Sequence, residues 1–114
     1  MHELSVCQGM LRQVESIAAE HGARAVTAIK VQIGPLSGVE PQLLSQAFPI
    51  ASAGTVAAHA DLQLETLPVR VHCRTCGADT EAAVNRLLCG ECGDWQTQLL
   101  SGDELLLASV ELDT

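Results

Sequence analysis

The chain has 114 residues, enough for one small domain, or for a domain carrying a mini-domain that needs help to fold. Fourteen acidic against six basic residues give a formal charge of −8, which repels phosphate backbones and argues against nucleic acid as a partner. No segment looks like a signal peptide and no apolar run approaches membrane-spanning length, so a cytosolic protein with no membrane partner is expected.

Phe48 and Trp95 are the only aromatics, so aliphatic side chains must do most of the packing. Residues 3–21 read as a helix: Leu4, Cys7, Leu11, Val14 and Ala18 recur at spacings of three and four, with Met10 and Ile17 widening the stripe. Glu3 falls in the first turn, where the helix dipole favours it, and Gly22 is a natural stop. Cys7 lies on the apolar stripe and reads as a buried small hydrophobe, while His21 reads as a cap at the helix C-terminus. Residues 26–33 alternate, with Ile29, Val31 and Ile33 on one face, and form a strand that Gly34-Pro35 ends. A second helix is expected from near Pro41 towards Gly54, with a kink or an early end at Pro49. His59 reads as a surface loop residue. Leu62 and Leu64 mark a short strand that stops before Pro68, and residues 104–112 form the last strand.

Residues 69–98 differ from both flanks, holding four of the five cysteines and little continuous apolar pattern. The fold class expected is therefore α+β: two helices on a three-stranded sheet, with a four-cysteine, zinc-ribbon-like module inserted before the last strand. Residues 1–68 with 99–114 would form the α/β domain, and 69–98 the insert.

The insert reads Cys73-Arg-Thr-Cys76-Gly77, then twelve residues from Gly77 to Leu88, then Cys89-Gly-Glu-Cys92-Gly93. Two intervening residues let both sulfurs of a pair reach one ion from a tight turn, and the following glycine can take the positive φ such a turn needs. Two pairs complete a tetrahedral shell with no open position, the mark of a structural zinc site. One CxxC would leave a redox dithiol or an iron–sulfur cluster open; two knuckles at this spacing, in a chain without a secretory signal, favour zinc. The insert has too few apolar residues to fold alone, so its folding should depend on the metal. Arg70, Arg74 and Arg86 lie in or beside it and compensate the charge of about −2 on a tetrathiolate zinc centre. His72 adjoins Cys73, but the shell is complete without it.

The start of the chain, Met1-His2-Glu3, offers a second and different donor set. The bulk of His2 should keep Met1 in place. The Met1 amine, the His2 backbone nitrogen and His2 Nδ1 can then form fused chelate rings, a planar nitrogen set suited to Ni²⁺ or Cu²⁺. Glu3 can complete it with its backbone nitrogen or supply a carboxylate nearby. Soft Cu(I) prefers thiolates, which leaves nickel as the cytosolic candidate. On the residues alone, an exposed and tolerant helix start is the commoner explanation of such a terminus.

The terminal Met1-His2-Glu3-Leu4-Ser5 and Cys7-Gln8 belong to a pattern that runs along essentially the whole chain. It continues through Ile33-Gly34-Pro35-Leu36-Ser37-Gly38-Val39-Glu40, Ala47-Phe48 and Gly54-Thr55-Val56-Ala57. The two knuckles, Gly102-Asp103-Glu104-Leu105 and Ser109-Val110-Glu111-Leu112 complete it. This pattern resembles the HypA/HybF family of nickel metallochaperones for nickel–iron hydrogenase maturation. The resemblance implies that the Met1 amine, His2 and Glu3 hold exchangeable Ni(II), and that Cys73, Cys76, Cys89 and Cys92 hold structural Zn(II). It also implies delivery to the hydrogenase large subunit alongside a HypB-type GTPase, and in some organisms service to urease. One departure stands out: many members carry His directly after the last cysteine, where this chain has Gly93. No nucleophile–base pair is visible, so no enzyme activity is expected. The alternative is a zinc-ribbon protein–protein adaptor without nickel cargo.

Overall fold

A computed structural model describes residues 2–114. Along the chain lie α1 (Glu3–Glu20), β1 (Ala25–Ile33), α2 (Pro41–Ser52), β2 (Asp61–Thr66), β3 (Arg70–Cys73), β4 (Asp79–Glu81), β5 (Thr97–Ser101) and β6 (Leu105–Asp113). The strands form two three-stranded sheets, ordered β2-β1-β6 and β4-β3-β5. The expected α+β class is therefore present, and the cysteine-rich segment has a small sheet of its own. The chain divides into two compact units, Met1–Gln32 with Val39–Glu65 and Leu106–Thr114, and Ile33–Gly38 with Thr66–Leu105. The cysteine-rich stretch 69–98 lies inside the second.

In the first unit the apolar stripe of α1 buries Cys7, Met10, Leu11, Val14 and Ala18. Leu44 and Phe48 of α2 and Val26, Ile29 and Val31 of β1 are buried with them. With one aromatic among these residues, the core rests on aliphatic side chains, each contributing about 1.5–3 kcal/mol when fully buried. Cys7 is an inert part of it: burial first, then the nearby Glu3 charge, raises its thiol above the ordinary range. Gly22 at φ 62 ends α1, and His21 closes the helix with Nδ1 2.9 Å from the Ile17 carbonyl, so that nitrogen carries the proton. This is the capping role read from its position.

The central strand β1 pairs with both others. Arg24 N–H donates to the Asp113 carbonyl and Thr27 Oγ1 to that of Glu111, so paired positions run oppositely, as in an antiparallel pair. On the other edge Lys30 and Gln32 both reach the Glu65 carboxylate, at 3.1 and 2.9 Å, and the lysine first, then the amide, hold it below the usual carboxylate range.

Of the kink or early end expected of helix α2 at Pro49, the early end does not occur. Glu40 caps it, accepting from Gln42 N–H at 3.5 Å, and Pro41 occupies the first turn as anticipated. The helix nevertheless continues past Pro49 to Ser52. The ring removes one N–H from the ladder, but Phe48 and Ser52 on either side are buried, and tertiary packing outweighs the local penalty.

In the second unit β3 is the centre of its sheet, pairing antiparallel with β4 (Val71 opposite Thr80) and with β5 (Val71 opposite Leu99). The loop 33–38 is bound to the turn before β6: Gly34 N–H donates to the Glu104 carbonyl at 2.8 Å and Leu36 N–H to that of Gly102 at 2.6 Å. A Cβ on Gly34 would be driven into the Gly102 backbone, and Gly102 itself sits at φ 117 against Val69. Two backbones meet here with no room for a side chain. Gly34→Ala should therefore destabilise the chain by about 1–3 kcal/mol, the usual range for forced overpacking, read as a lower denaturant midpoint. Gly22→Ala, strained by its φ but meeting nothing within 4 Å, should lose less. Equal losses would show that the Gly34–Gly102 contact is not the constraint.

Candidate metal centre

The four cysteines predicted from the knuckle spacing come together in the second unit. Cys73 ends β3, Cys76 follows in the turn, and Cys89 and Cys92 belong to the loop before β5. The four sulfurs all lie within 4.8 Å of one another. Cys73 Sγ and Cys92 Sγ are 3.6 Å apart, as are Cys76 Sγ and Cys89 Sγ. Zn–S bonds of about 2.3 Å in a tetrahedron give sulfur–sulfur edges of about 3.8 Å. A disulfide would need about 2.05 Å, and all the cysteines are free. The donor set and its spacing fit one tetrahedral soft or borderline cation.

Each knuckle is built the same way. Gly77 N–H donates to the Cys73 carbonyl and Cys73 N–H to that of Ala78; Gly93 N–H donates to the Cys89 carbonyl and Cys89 N–H to that of Asp94. Gly77 and Gly93 take φ 78 and 76, the left-handed geometry expected after each second cysteine. The turns aim amides at sulfur: Cys76 N–H reaches Cys73 Sγ at 3.4 Å, while Glu91 and Cys92 N–H reach Cys89 Sγ at 3.3 and 3.4 Å.

Those amides decide which sulfurs ionise first. The Cys92 amide, opposed by burial and aided by the Glu91 amide, brings Cys89 down to about 6, and the Cys76 amide lowers Cys73 in the same way. For Cys92 the Asp94 amide is the largest single influence and favours the thiolate. The bond to Cys73, burial and the bonds to Cys76 and Cys89 outweigh it and push Cys92 up to about 12. Cys76 is raised likewise, the Ala78 amide being outweighed by Cys89, burial and Cys73. Within each close pair, then, one thiol is lowered and the other raised.

Three braces around the cluster are not evident from the cysteine spacing. Thr75 Oγ1 donates to Asp94 Oδ2 at 2.6 Å, tying the first knuckle to the second. Asp94 Oδ1 accepts from Gln96 N–H at 3.1 Å, an Asx turn. The Thr75 hydroxyl, then the Gln96 amide, hold its carboxyl below the usual range. Gly90 N–H donates to Thr80 Oγ1 at 2.8 Å, fastening the second knuckle to β4. The Gly93-Asp94 dipeptide was a legible turn signal; its partner Thr75 was not, because the contact spans two segments. His72 takes no part in the cluster. Strand alternation puts it on the face opposite Cys73, where Nδ1 lies 2.6 Å from Asp79 Oδ1.

At the other candidate site Met1 lies outside the described residues. His2 is exposed and caps α1 through its carbonyl, which accepts from Val6 N–H at 2.9 Å; its side chain makes no capping bond. Glu3 behaves differently. It is 7% exposed, and its carboxylate accepts from Glu40 N–H at 3.4 Å, where α2 begins. Among the described residues, Cys73, Cys76, Cys89 and Cys92 form the one cluster of three or more potential metal ligands, and no helix is long and apolar enough to cross a membrane.

Comparison with known proteins matches residues 1–112 to the family described as "Hydrogenase/urease nickel incorporation, metallochaperone, hypA". A relative from Nitrosospira multiformis, "Hydrogenase maturation factor HypA", is 48% identical over 114 residues, covering 100% of this chain and 99% of the relative. One of the same name from Aquifex aeolicus is 42% identical over 113 residues, with 99% and 98% coverage. Among solved structures, the solution structure of the Ni metallochaperone HypA from Helicobacter pylori superposes with a TM-score of 0.71 at 25% identity, covering 99% of this chain and 98% of that one. Another HypA solution structure gives 0.75 at 25% identity, with 98% and 96% coverage.

Closing four thiolates on one ion requires the protons on Cys76 and Cys92 to leave. Metal affinity should therefore strengthen as pH rises through the neutral range. At pH 7 about two protons or more should be released per ion, more if the metal-free knuckles unfold and all four thiols return to ordinary values. Calorimetry in buffers of different ionisation enthalpy measures this. Release near zero would exclude the four sulfurs as the ligand set.

Proposed function

The chain belongs to the HypA family of hydrogenase/urease nickel-incorporation metallochaperones, and from that premise we propose that it carries nickel on its amino terminus and a structural zinc ion in its four-cysteine cage. Nickel is the cargo, passed on for maturation of a nickel–iron hydrogenase and, where one is present, of a urease. The Met1 amine, His2 and Glu3 hold it; Cys73, Cys76, Cys89 and Cys92 hold zinc. The chain is a carrier in the cytosol and not an enzyme, working with a HypB-type GTPase and the hydrogenase large subunit. Residues 69–98 act as a zinc domain inserted into the nickel-binding domain of residues 1–68 and 99–114.

The observation that carries this assignment of roles is the contrast between the two donor sets. The cage brings four sulfurs within 4.8 Å of one another, two of its edges at 3.6 Å, and a tetrahedral ion held by all four would keep no position for an acceptor protein's ligand. His2 is exposed at the start of α1 with its ring uncommitted to the cap, where a recipient can reach it. Glu3, one of whose carboxylate oxygens accepts from the Glu40 amide, can add its backbone nitrogen or supply a carboxylate nearby.

Two experiments test the reading. His2→Ala, or two residues added before Met1, should abolish stoichiometric nickel binding by titration while zinc content by elemental analysis stays at one per chain. Unchanged nickel affinity in both variants would sink the terminal site, and no nickel binding by the unmodified chain would favour an adaptor without cargo. Chelation of zinc should melt residues 69–98 while the helical unit stays folded, read by hydrogen exchange; an ordered insert in a verified zinc-free sample would overturn the coupling.

A further inference from the structure

The cysteine cage is not uniform. Cys73 and Cys89, the first cysteine of each knuckle, are buried at 0% and 4% exposure, whereas Cys76 and Cys92, the second of each, are exposed. Backbone bonding follows the same division. Cys73 Sγ is approached by the amides of Cys76 and Thr75, and Cys89 Sγ by those of Cys92 and Glu91; Cys76 and Cys92 have one amide each, from Ala78 and Asp94. The tethering repeats it again. Cys73 is part of β3, in register with Thr97 of β5, and Cys89 N–H is bonded to Asp94, while Cys76 and Cys92 stand at the turn tips.

These differences act on one property, the nucleophilicity of a metal-bound thiolate. An N–H···S bond draws electron density from sulfur, and burial keeps a reagent away. Cys73 and Cys89 have more of both; Cys76 and Cys92 have less of both.

We propose that, in the zinc-loaded chain, Cys76 and Cys92 are a modification site for soft electrophiles, and that the cage is opened from their side while Cys73 and Cys89 hold the ion until last. This rests on the zinc reading above. With an alkyl halide, the sulfur lone pair forms a C–S bond, the carbon–halogen bond breaks and halide leaves. The resulting thioether is neutral, and the zinc centre has lost one thiolate. With a disulfide reagent, the thiolate forms a mixed disulfide and the reagent's other sulfur leaves as thiolate, with the same consequence for the ion. Cys7, buried and remote from the cage in sequence, is an internal reference for a thiol protected by packing alone.

The experiment uses the full chain with zinc verified at one per molecule. It is treated with substoichiometric iodoacetamide, digested and mapped by mass spectrometry, with zinc release followed in parallel by a chromophoric chelator. Early label should fall on Cys76 and Cys92, about ten-fold faster than on Cys73, Cys89 or Cys7. Zinc release should track that label. In denaturant with chelator all five cysteines should react at similar rates, which assigns the selectivity to the fold. A zinc-verified sample labelled evenly, or first at Cys73 and Cys89, overturns the proposal alone. A sample that never holds stoichiometric zinc overturns the zinc reading and this proposal with it.

Discussion

Four sulfurs held within 4.8 Å of one another cannot all be ionised unless a cation lies among them. Like charges at that separation repel strongly, so the geometry itself calls for a positive centre among them. The amides of the two knuckles lower Cys73 and Cys89, while Cys76 and Cys92, despite an amide each, are raised by neighbouring sulfurs and burial. A divalent ion replaces that compromise with a uniform tetrathiolate shell. Much of the second unit exists to hold this geometry: β4 braces one knuckle through Thr80 and Gly90, and Asp94 links the two through Thr75. Few large apolar side chains are buried there; Val69 and Val71 are the only buried aliphatics between Thr66 and Leu105, so the ion takes over the work of a core.

The first unit is stabilised in a different way. Its core is a conventional set of buried aliphatic side chains from helices α1 and α2 and strand β1. That division of labour suits the two opposite metal roles proposed above. A permanent ion belongs where its removal unfolds something, and a cargo ion belongs where its removal changes little. His2, exposed at the N-cap of a helix whose buried face includes Cys7, Leu11 and Val14, meets the second condition.

Periodicity and punctuation made much of this fold legible. The α1 stripe, the β1 alternation, the stop at Gly34-Pro35 and the last strand all follow from spacings of 3.6 or 2 and from turn residues. So did the two CxxC-Gly knuckles, where spacing and chemistry name the same four residues. Other features are settled by partners distant in sequence and left no local mark. Pro49 reads as a kink or an early end, yet with Phe48 and Ser52 buried on either side the helix runs on to Ser52. Gly34 and Gly102 each look like ordinary turn glycines, and only their backbone contact shows why neither can bear a side chain. The strands β3, β4 and β5 are three to five residues long, too short for alternation to register, and they owe their pairing to the knuckles they flank. Glu3 read as a metal ligand or a favourable first-turn charge; its bond to Glu40 depends on where α2 begins, 37 residues on.

That position of Glu3 bears on how tightly the terminus can hold a cation. The N-terminal end of a helix carries roughly half a positive charge, and the orphan amides there favour anions by about 0.3–1 kcal/mol. A divalent ion at the start of α1 works against this field, and the buried Glu3 carboxylate, bonded to the first amide before α2, lies where it offsets part of it. The nickel site proposed above would stand at the positive end of a helix, where the field opposes a cation that its ligands do not fully neutralise. For an ion that must be handed on, the unfavourable end of the helix is the useful one.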